Sequence, residues 1–147
     1  MGREDGVRAV QSFRDLRVWQ SGMELVVGVY ELTRTLPKSE VYGLSSQMQR
    51  AAVSVPANIA EGHTRRNLRE YLQFLSIARA SLTEVETYLE LVPRLGYASP
   101  EQTQALLDLA ASVSRQLIAL RDSLSTRLQE EPFPYDSIGL DPDPLSP

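Results

Sequence analysis

The chain has 147 residues, of which 42% are hydrophobic and 23% charged, which is ordinary for a single globular domain. It contains no cysteine, which excludes disulfides and thiol chemistry and is compatible with a reducing compartment. No apolar run reaches the roughly 18 residues of a membrane span, and the charged segment 1–12 lacks the apolar stretch of a signal peptide. We therefore expect a soluble, cytoplasmic protein with a flexible N-terminus over residues 1–12 and no membrane partner.

The net charge of −4 is distributed unevenly along the chain. Residues 129–147 contain five acidic and no basic side chains, together with five of the nine prolines. The preceding residues are close to neutral, with one more basic than acidic side chain. Because proline interrupts helices and this segment buries little apolar surface, we predict a disordered, acidic, proline-rich tail over residues 129–147.

Helix 1 is predicted from about residue 14 to residue 35, where Pro37 stops it. It carries two lines of apolar residues at helical spacing. The first line is expected to face the core and comprises Leu16, Trp19, Met23, Val26, Tyr30 and Thr33. The second line exceeds what one bundle needs, so it predicts either a thicker core or, as we favour, a subunit interface. It comprises Leu25, Val29, Leu32 and Leu36.

Three further helices follow. Helix 2 is predicted over residues 44–61, kinked at Pro56 and capped by Gly62. Helix 3 begins at Asn67, which has Glu70 at capping-box separation, and ends near Pro93 and Gly96. Helix 4 opens with a serine cap, a proline and a capping glutamine at residues 99–102 and continues to residue 128. Helix 3 has the most regular apolar stripe: Tyr71, Leu75, Ala78, Leu82, Val85, Leu89 and Val92.

Four amphipathic helices joined by short turns predict an all-α, antiparallel up-down four-helix bundle over residues 13–128. No strand-period run or hairpin signal competes with this assignment.

The chain offers little for catalysis. His63 is the only histidine, whereas zinc and di-iron sites need several histidine or cysteine ligands or paired Glu-x-x-His motifs. No glycine-rich phosphate loop is present. We therefore predict no enzyme activity, no cofactor, no metal and no small-molecule substrate. A carboxylate pair such as Glu61 and Glu84 is the weaker, enzymatic alternative.

Polar residues share one face of helix 2 beside its apolar stripe. If helices 2 and 3 turn near residue 65, Asn58 faces Gln73, and Arg50 faces Ser81 within one turn of Glu84. Either this is a solvated face, or it is a polar network partly buried between helices or subunits, where an unpaired member would be costly. The candidate network is Arg50, Ser54, Asn58, Glu61, Ser81 and Glu84.

Arg65, Arg66 and Arg69 lie within five residues around the turn between helices 2 and 3. They form either a solvated loop or a seat for the phosphate backbone of a nucleic acid.

Several segments resemble the four-helix bundle family encoded within intervening sequences of bacterial 23S ribosomal RNA genes. The resemblance covers about residues 12–128, and its most specific part is the block RAAVSVPANIAEG at residues 50–62. Other matching segments are FRDL at 13–16, VW at 18–19, YGL at 42–44, EY at 70–71, FL at 74–75, IA at 77–78, SL at 81–82 and EVE at 84–86, together with Pro37, Glu40 and Gln47.

This resemblance implies a ring-shaped homopentamer. It also implies kinship with the accessory proteins of diversity-generating retroelements, which are basic pentamers that bind nucleic acid and a reverse transcriptase. The neutral body of this chain departs from that pattern. The leading hypothesis is therefore a non-catalytic homo-oligomeric scaffold that binds RNA or DNA as an accessory protein. The alternative is a protein-interaction module without a nucleic-acid role.

Overall fold

The computed structural model describes residues 12–130, and in this range the chain is all-helical, without strands. Short 3-10 turns at Phe13–Asp15 and Lys38–Glu40 precede the first and second α-helices. The last helix continues to residue 130, two residues past its predicted end at residue 128. Residues 131–147 of the predicted acidic tail and residues 1–11 of the flexible N-terminus predicted over 1–12 lie outside the described residues. The helices are α1 (Arg17–Thr33), α2 (Leu44–His63), α3 (Leu68–Arg94) and α4 (Pro100–Glu130).

The four helices pack in cyclic order, so that α1 contacts α2 and α4, and α3 contacts the same two helices from the opposite side. Between α2 and α3, Gln47 pairs with Tyr88 and Ser54 pairs with Ser81. Residue numbers thus rise along one helix while they fall along its neighbour, as they do in the predicted up-down bundle. Within residues 12–130, none of the helices combines the length and hydropathy that a membrane span requires.

The helix ends follow the local sequence signals. The Asn67 side chain accepts hydrogen bonds from the backbone N–H groups of Arg69 and Glu70, which caps α3. The Ser99 N–H donates to Oε1 of Gln102 over 2.7 Å, and the Gln102 N–H donates to the Ser99 hydroxyl over 3.3 Å. This reciprocal pair is the capping box predicted for α4. Gly96, with φ of 75°, lies in the connection between α3 and α4.

The core of α3 follows its predicted stripe, since all seven residues from Tyr71 to Val92 are buried. In α4, Ala110, Val113, Leu117 and Leu124 are buried at the same helical spacing. This regular heptad pattern places both helices against a single core.

The inward face of α1 differs from the prediction. Leu25 and Val29 are 0% exposed, and Leu32 and Leu36 are 7% exposed, all within the core of a single chain. These four residues were expected to form a subunit interface, and the structure places them in the bundle core instead. Conversely, Met23 and Tyr30 of the expected core line are exposed.

The reason lies at Gly22, which occupies the inward position between Val18 and Leu25 and is buried. Glycine interrupts a stripe of large apolar side chains, so the true inward line was not evident from the sequence. A Cβ at this position would lie 3.5 Å from Cβ of Pro56, in ordinary contact. The small residue therefore lies where the proline inside α2 packs against α1.

Gly62 does not cap α2, as had been predicted, because the helix continues to His63 and its C-cap is Thr64. Gly62 is buried, and a Cβ added there would lie 2.9 Å from Cβ of Phe74 and 3.1 Å from Cδ1 of Tyr71. The glycine therefore allows α2 and α3 to approach each other closely next to their connection.

Candidate assembly and binding surfaces

A small hydrogen-bond network joins α2 to α3. The hydroxyls of Ser54 and Ser81 are 2.8 Å apart. The Asn58 amide donates to the Ser54 carbonyl over 2.7 Å and to the Ser54 hydroxyl over 2.9 Å. All three side chains are partly buried. The structure thus brings together three of the six residues proposed for a polar network.

The helix register is about one turn away from the predicted one, because α2 extends to His63. Ser81 faces Ser54 and not Arg50, and Asn58 bonds within its own helix and not to Gln73. This shift is the structural consequence of Gly62 continuing the helix.

The hydrogen-bond network does not include the other three proposed residues, Arg50, Glu61 and Glu84. Arg50 and Glu84 are both exposed and line a groove of about 430 Å³ between α2 and α3, together with Gln47 and Tyr88. Within residues 12–130, no ion pair joins Arg50 to Glu84. Glu61 instead pairs with Arg65 over 2.9 Å at the end of α2.

The structure does not bring together the carboxylate pair considered for catalysis. Since Ser54 faces Ser81, Glu84 lies near the level of Ala51, whereas Glu61 lies ten residues further along α2. At 1.5 Å per residue this separation is about 15 Å, too far for the two carboxyl groups to act on the same bond.

His63 is the last residue of α2 and is half-buried. Its ring stands edge-on to Tyr71, with centroids 5.9 Å apart and planes at 80°. Burial raises the pKa of Tyr71 to about 12. In the part of the chain that the structure describes, no group of three or more histidine, cysteine or acidic side chains could hold a metal ion.

The three clustered arginines lie at the end of the bundle where α2 connects to α3, and all three are exposed. Arg65 is engaged on two sides. Its guanidinium bonds to Glu61 over 2.9 Å and lies 4.9 Å from the centre of the Phe74 ring. The positive charge of this cluster is therefore partly compensated within the chain.

The sequence did not predict the exposed apolar surface on the outer side of α1 and α2. Val27 is 57% exposed, and Met23, Tyr30 and Val53 are each about 40% exposed. We call these four residues the α1/α2 face. Val27 lies off both apolar lines predicted for helix 1, and that misfit was a signal of this surface in the sequence.

An apolar groove of about 330 Å³ runs along this face, and we call it the α1/α2 groove. It is lined by Val27, Tyr30 and Val53, with Glu31 and Arg34 also bordering it. A second groove of about 470 Å³, which shares Tyr30 and Val53, continues towards Arg50. The apolar face and the polar groove between α2 and α3 thus form one continuous outer surface.

The turn between α1 and α2 is held to the α3–α4 connection by Glu40. Its carboxylate accepts the Leu44 N–H over 3.0 Å and the Tyr97 hydroxyl over 2.9 Å. Both bonds stabilise the charged form, the one from Leu44 most, and they lower the pKa of Glu40 below its ordinary value. The same contact raises the pKa of Tyr97.

Comparison with known proteins places this chain in a family. The model of the 23S rRNA-intervening sequence protein family matches residues 14–119. The chain belongs to this family. A comparison with curated proteins finds no match.

Among solved structures, this intervening-sequence protein is similar to a crystal structure from Bacteroides thetaiotaomicron. That structure is described as a protein with unknown function from the S23 ribosomal protein family. The two share 26% sequence identity with a TM-score of 0.66, over 71% of this chain and 97% of the other. The α1/α2 face, the serine network and the arginine cluster all lie within the segment matched by the family model.

Proposed function

We propose that this protein acts without catalysis, as a homo-oligomeric scaffold that binds nucleic acid as an accessory protein. The observation that supports assembly is the α1/α2 face, with three exposed apolar residues on α1 and one on α2. A contiguous apolar patch rimmed by polar residues is typical of an interaction site. Met23 and Tyr30 in the patch, with Arg50 and Arg34 at its edge, are residue types that are enriched in protein interfaces.

The number of copies follows from the family resemblance, which implies a ring of five. A ring needs contacts that repeat around an axis, and a face on one side of each bundle is suited to such contacts. In this proposal the core line of α1 contributes nothing to the interface, and the face on its outer side takes that role.

The nucleic-acid part of the proposal depends on repetition. One copy presents only Arg65, Arg66 and Arg69, and Arg65 is already paired with Glu61. A ring of five would present the cluster five times at one end, and multivalent contact with phosphates would then add to a useful affinity. The family resemblance implies kinship with retroelement accessory proteins, and on that ground we propose RNA or DNA, together with a reverse transcriptase, as the partners.

The second candidate is a protein-interaction module without a nucleic-acid role. It is favoured by the Glu61–Arg65 pair and by the nearly neutral charge of the body, both of which weaken attraction to phosphate. Assembly is common to both candidates, so the test of assembly comes first.

That test compares the mass in solution of three variants by light scattering coupled to size exclusion. Val27→Glu and Val53→Glu place a charge on the α1/α2 face and should yield smaller particles with unchanged helical circular dichroism. Ala119→Glu adds the same charge to the exposed side of α4 and should leave the mass unchanged. If all three variants have the mass of the unmodified oligomer, the α1/α2 face is not the interface.

A further inference from the structure

We propose that Tyr42 of one copy inserts into the α1/α2 groove of the next copy, and that this head-to-tail contact builds the oligomer. The inference rests on the assembly proposed above and names the residue that the partner copy contributes. Tyr42 is 98% exposed, the largest exposed fraction among the large hydrophobic residues of the described range. The neighbouring Val41 is 51% exposed, so the end of the bundle carries a projecting apolar pair.

The turn that carries Tyr42 is fixed on both sides. The Gly43 N–H donates to the Glu40 carbonyl over 3.0 Å, and the Val41 N–H donates to the Lys38 carbonyl over 3.2 Å. The Glu40 side chain ties the same turn to Leu44 and Tyr97. A tyrosine on a fixed turn loses little conformational entropy when it binds. Tyrosine is also among the residues that most often carry the binding energy of an interface.

The α1/α2 groove suits a phenol side chain. Its walls are the apolar side chains of Val27, Tyr30 and Val53, and its volume is about 330 Å³. An aromatic ring packs against such walls, whereas its hydroxyl still needs a polar partner. Glu31 and Arg34, which also border the groove, supply an acceptor and a donor for it.

The occupant must come from a second copy. Val53 lies nine residues along α2 from its first residue, Leu44, which is about 13 Å along the helix axis. Tyr42 precedes that first residue, so it cannot reach Val53 of its own chain, and its 98% exposure shows that it does not occupy the groove of its own chain. The contact also implies that neighbouring bundles are shifted along their axes by about 13 Å, or that they are inclined to each other.

Charge complementarity supports the same pairing. Lys38 belongs to the turn that carries Tyr42, and Glu31 borders the groove. Both side chains are exposed, and neither forms a salt bridge within residues 12–130. In the proposed contact, Lys38 of one copy pairs with Glu31 of the next. Because Tyr42 and the α1/α2 groove are different surfaces, the interface is heterologous, and such contacts form a closed ring when the rotation between successive copies completes a full turn.

Disulfide cross-linking tests the contact directly, because the chain has no cysteine of its own. Tyr42→Cys and Val53→Cys are made separately and as a double variant, and each is oxidised at tens of micromolar. Cysteine Cα atoms must lie within about 7 Å to be bridged, so the two positions of one chain cannot react. We expect a covalent dimer when the single variants are mixed, and a ladder of covalent oligomers from the double variant. The control is Tyr42→Cys mixed with Ala119→Cys, which should not cross-link.

Light scattering of the unmodified protein and of each cysteine variant accompanies the cross-linking. If the variants assemble but the mixture of Tyr42→Cys and Val53→Cys does not cross-link, the tyrosine contact is wrong and the proposed assembly stands. If either single variant alone gives a covalent dimer, the interface is a two-fold one, which also overturns the proposal. If the unmodified protein is a monomer, the proposed function itself fails.

A second experiment measures the stability of the oligomer, and its charge-reversal variants keep Tyr42 in place, in case the replacement of Tyr42 prevents assembly. Lys38→Glu and Glu31→Lys should each raise the protein concentration at which half of the oligomer has dissociated. The two changes together should return that concentration towards its value in the unmodified protein. Tyr42→Ala should raise that concentration at least about tenfold, as expected for an anchor residue, without changing the helical circular dichroism. The absence of any recovery in the charge-reversed pair, or of any effect of Tyr42→Ala, would overturn the proposal.

Discussion

The Tyr97 hydroxyl donates a hydrogen bond of 2.9 Å to Oε1 of Glu40, and this bond joins the two connections at one end of the bundle. Because the bond favours the charged carboxylate, Tyr97→Phe should move the pKa of Glu40 back towards its ordinary value. The return should be partial, since the Leu44 N–H remains and is the larger cause of the shift. A carboxyl titration followed by NMR measures it, and an unchanged Glu40 pKa in the variant would contradict the account.

The sign of the pH effect follows from the direction of this shift. A carboxyl whose pKa is lowered by folding stabilises the native state above its unfolded value, which is 4.5 here. That stabilisation is lost as the pH falls through the lowered pKa of the folded state. Tyr97→Phe should therefore reduce the difference in stability between neutral and acidic pH, and leave the stability in strong acid, where Glu40 is protonated in both proteins, less affected.

The close approach of α2 and α3 at Gly62 gives a prediction with a built-in control. Gly62→Ala should destabilise the fold by about 1–3 kcal/mol, the usual cost of overpacking, because its Cβ would meet Cβ of Phe74 at 2.9 Å. Gly22 is also a buried glycine within a helix, but the Cβ of an alanine there would make only ordinary contacts with Pro56. The change Gly22→Ala should stabilise by about 0.5–1 kcal/mol. Urea unfolding measures both, and equal effects would contradict the packing described here.

These two glycines also show how far the sequence could be interpreted. The stripe of α3 was predicted in full because large apolar residues continue its heptad pattern without interruption. On α1 the inward line passes through Gly22, so an outer line with larger side chains was taken for the core. Whether a glycine ends a helix or lets two helices approach depends on the neighbouring helix, which at Gly62 means Tyr71 and Phe74. Sequence spacing alone does not contain that information.

The prediction of the candidate site was limited in the same way. Ser54, Asn58 and Ser81 were predicted to belong to one network, and they do, because the polar face of helix 2 was assigned correctly. The predicted register between helices 2 and 3 was wrong by about one turn. The α1/α2 face could not be predicted while Met23 and Tyr30, two of its four residues, were assigned to the core. Arg50 and Glu84 are level enough to suggest a pair, yet both side chains remain exposed.

The Ser54–Ser81 hydrogen bond should appear as coupling in a double-mutant cycle. Ser54→Ala and Ser81→Ala should couple by about 0.5–1.5 kcal/mol in stability, the net value of a hydrogen bond. Arg50→Ala and Glu84→Ala form the control cycle across the same two helices, and their effects should add within about 0.5 kcal/mol. Chemical denaturation measures both. Strong coupling of Arg50 to Glu84 without coupling of the serines would show that the hydrogen-bond arrangement is wrong.

Nucleic-acid binding should depend on the position of the arginines and not only on total charge. Replacing Arg65, Arg66 and Arg69 with alanine should weaken binding to single-stranded RNA about tenfold or more at about 50 mM salt, and should flatten its salt dependence. The control replaces three exposed arginines spread over α3 and α4, which changes the net charge equally: Arg79, Arg94 and Arg115.

Removal of residues 131–147, which carry four acidic and no basic side chains, should strengthen the same binding by lowering repulsion of phosphate. Fluorescence anisotropy at several salt concentrations measures all of these proteins. If the shortened protein binds neither RNA nor DNA at about 50 mM salt, the nucleic-acid role fails and the protein-interaction module becomes the leading candidate.

Assembly is the central claim, and the mass of the unmodified protein in solution tests it most directly. The chain has a mass of 16.4 kDa, and neither the exposed α1/α2 face nor the projecting Tyr42 is covered in a single copy. Light scattering coupled to size exclusion at tens of micromolar should give five times the chain mass. A single peak at 16.4 kDa across that concentration range would contradict the account.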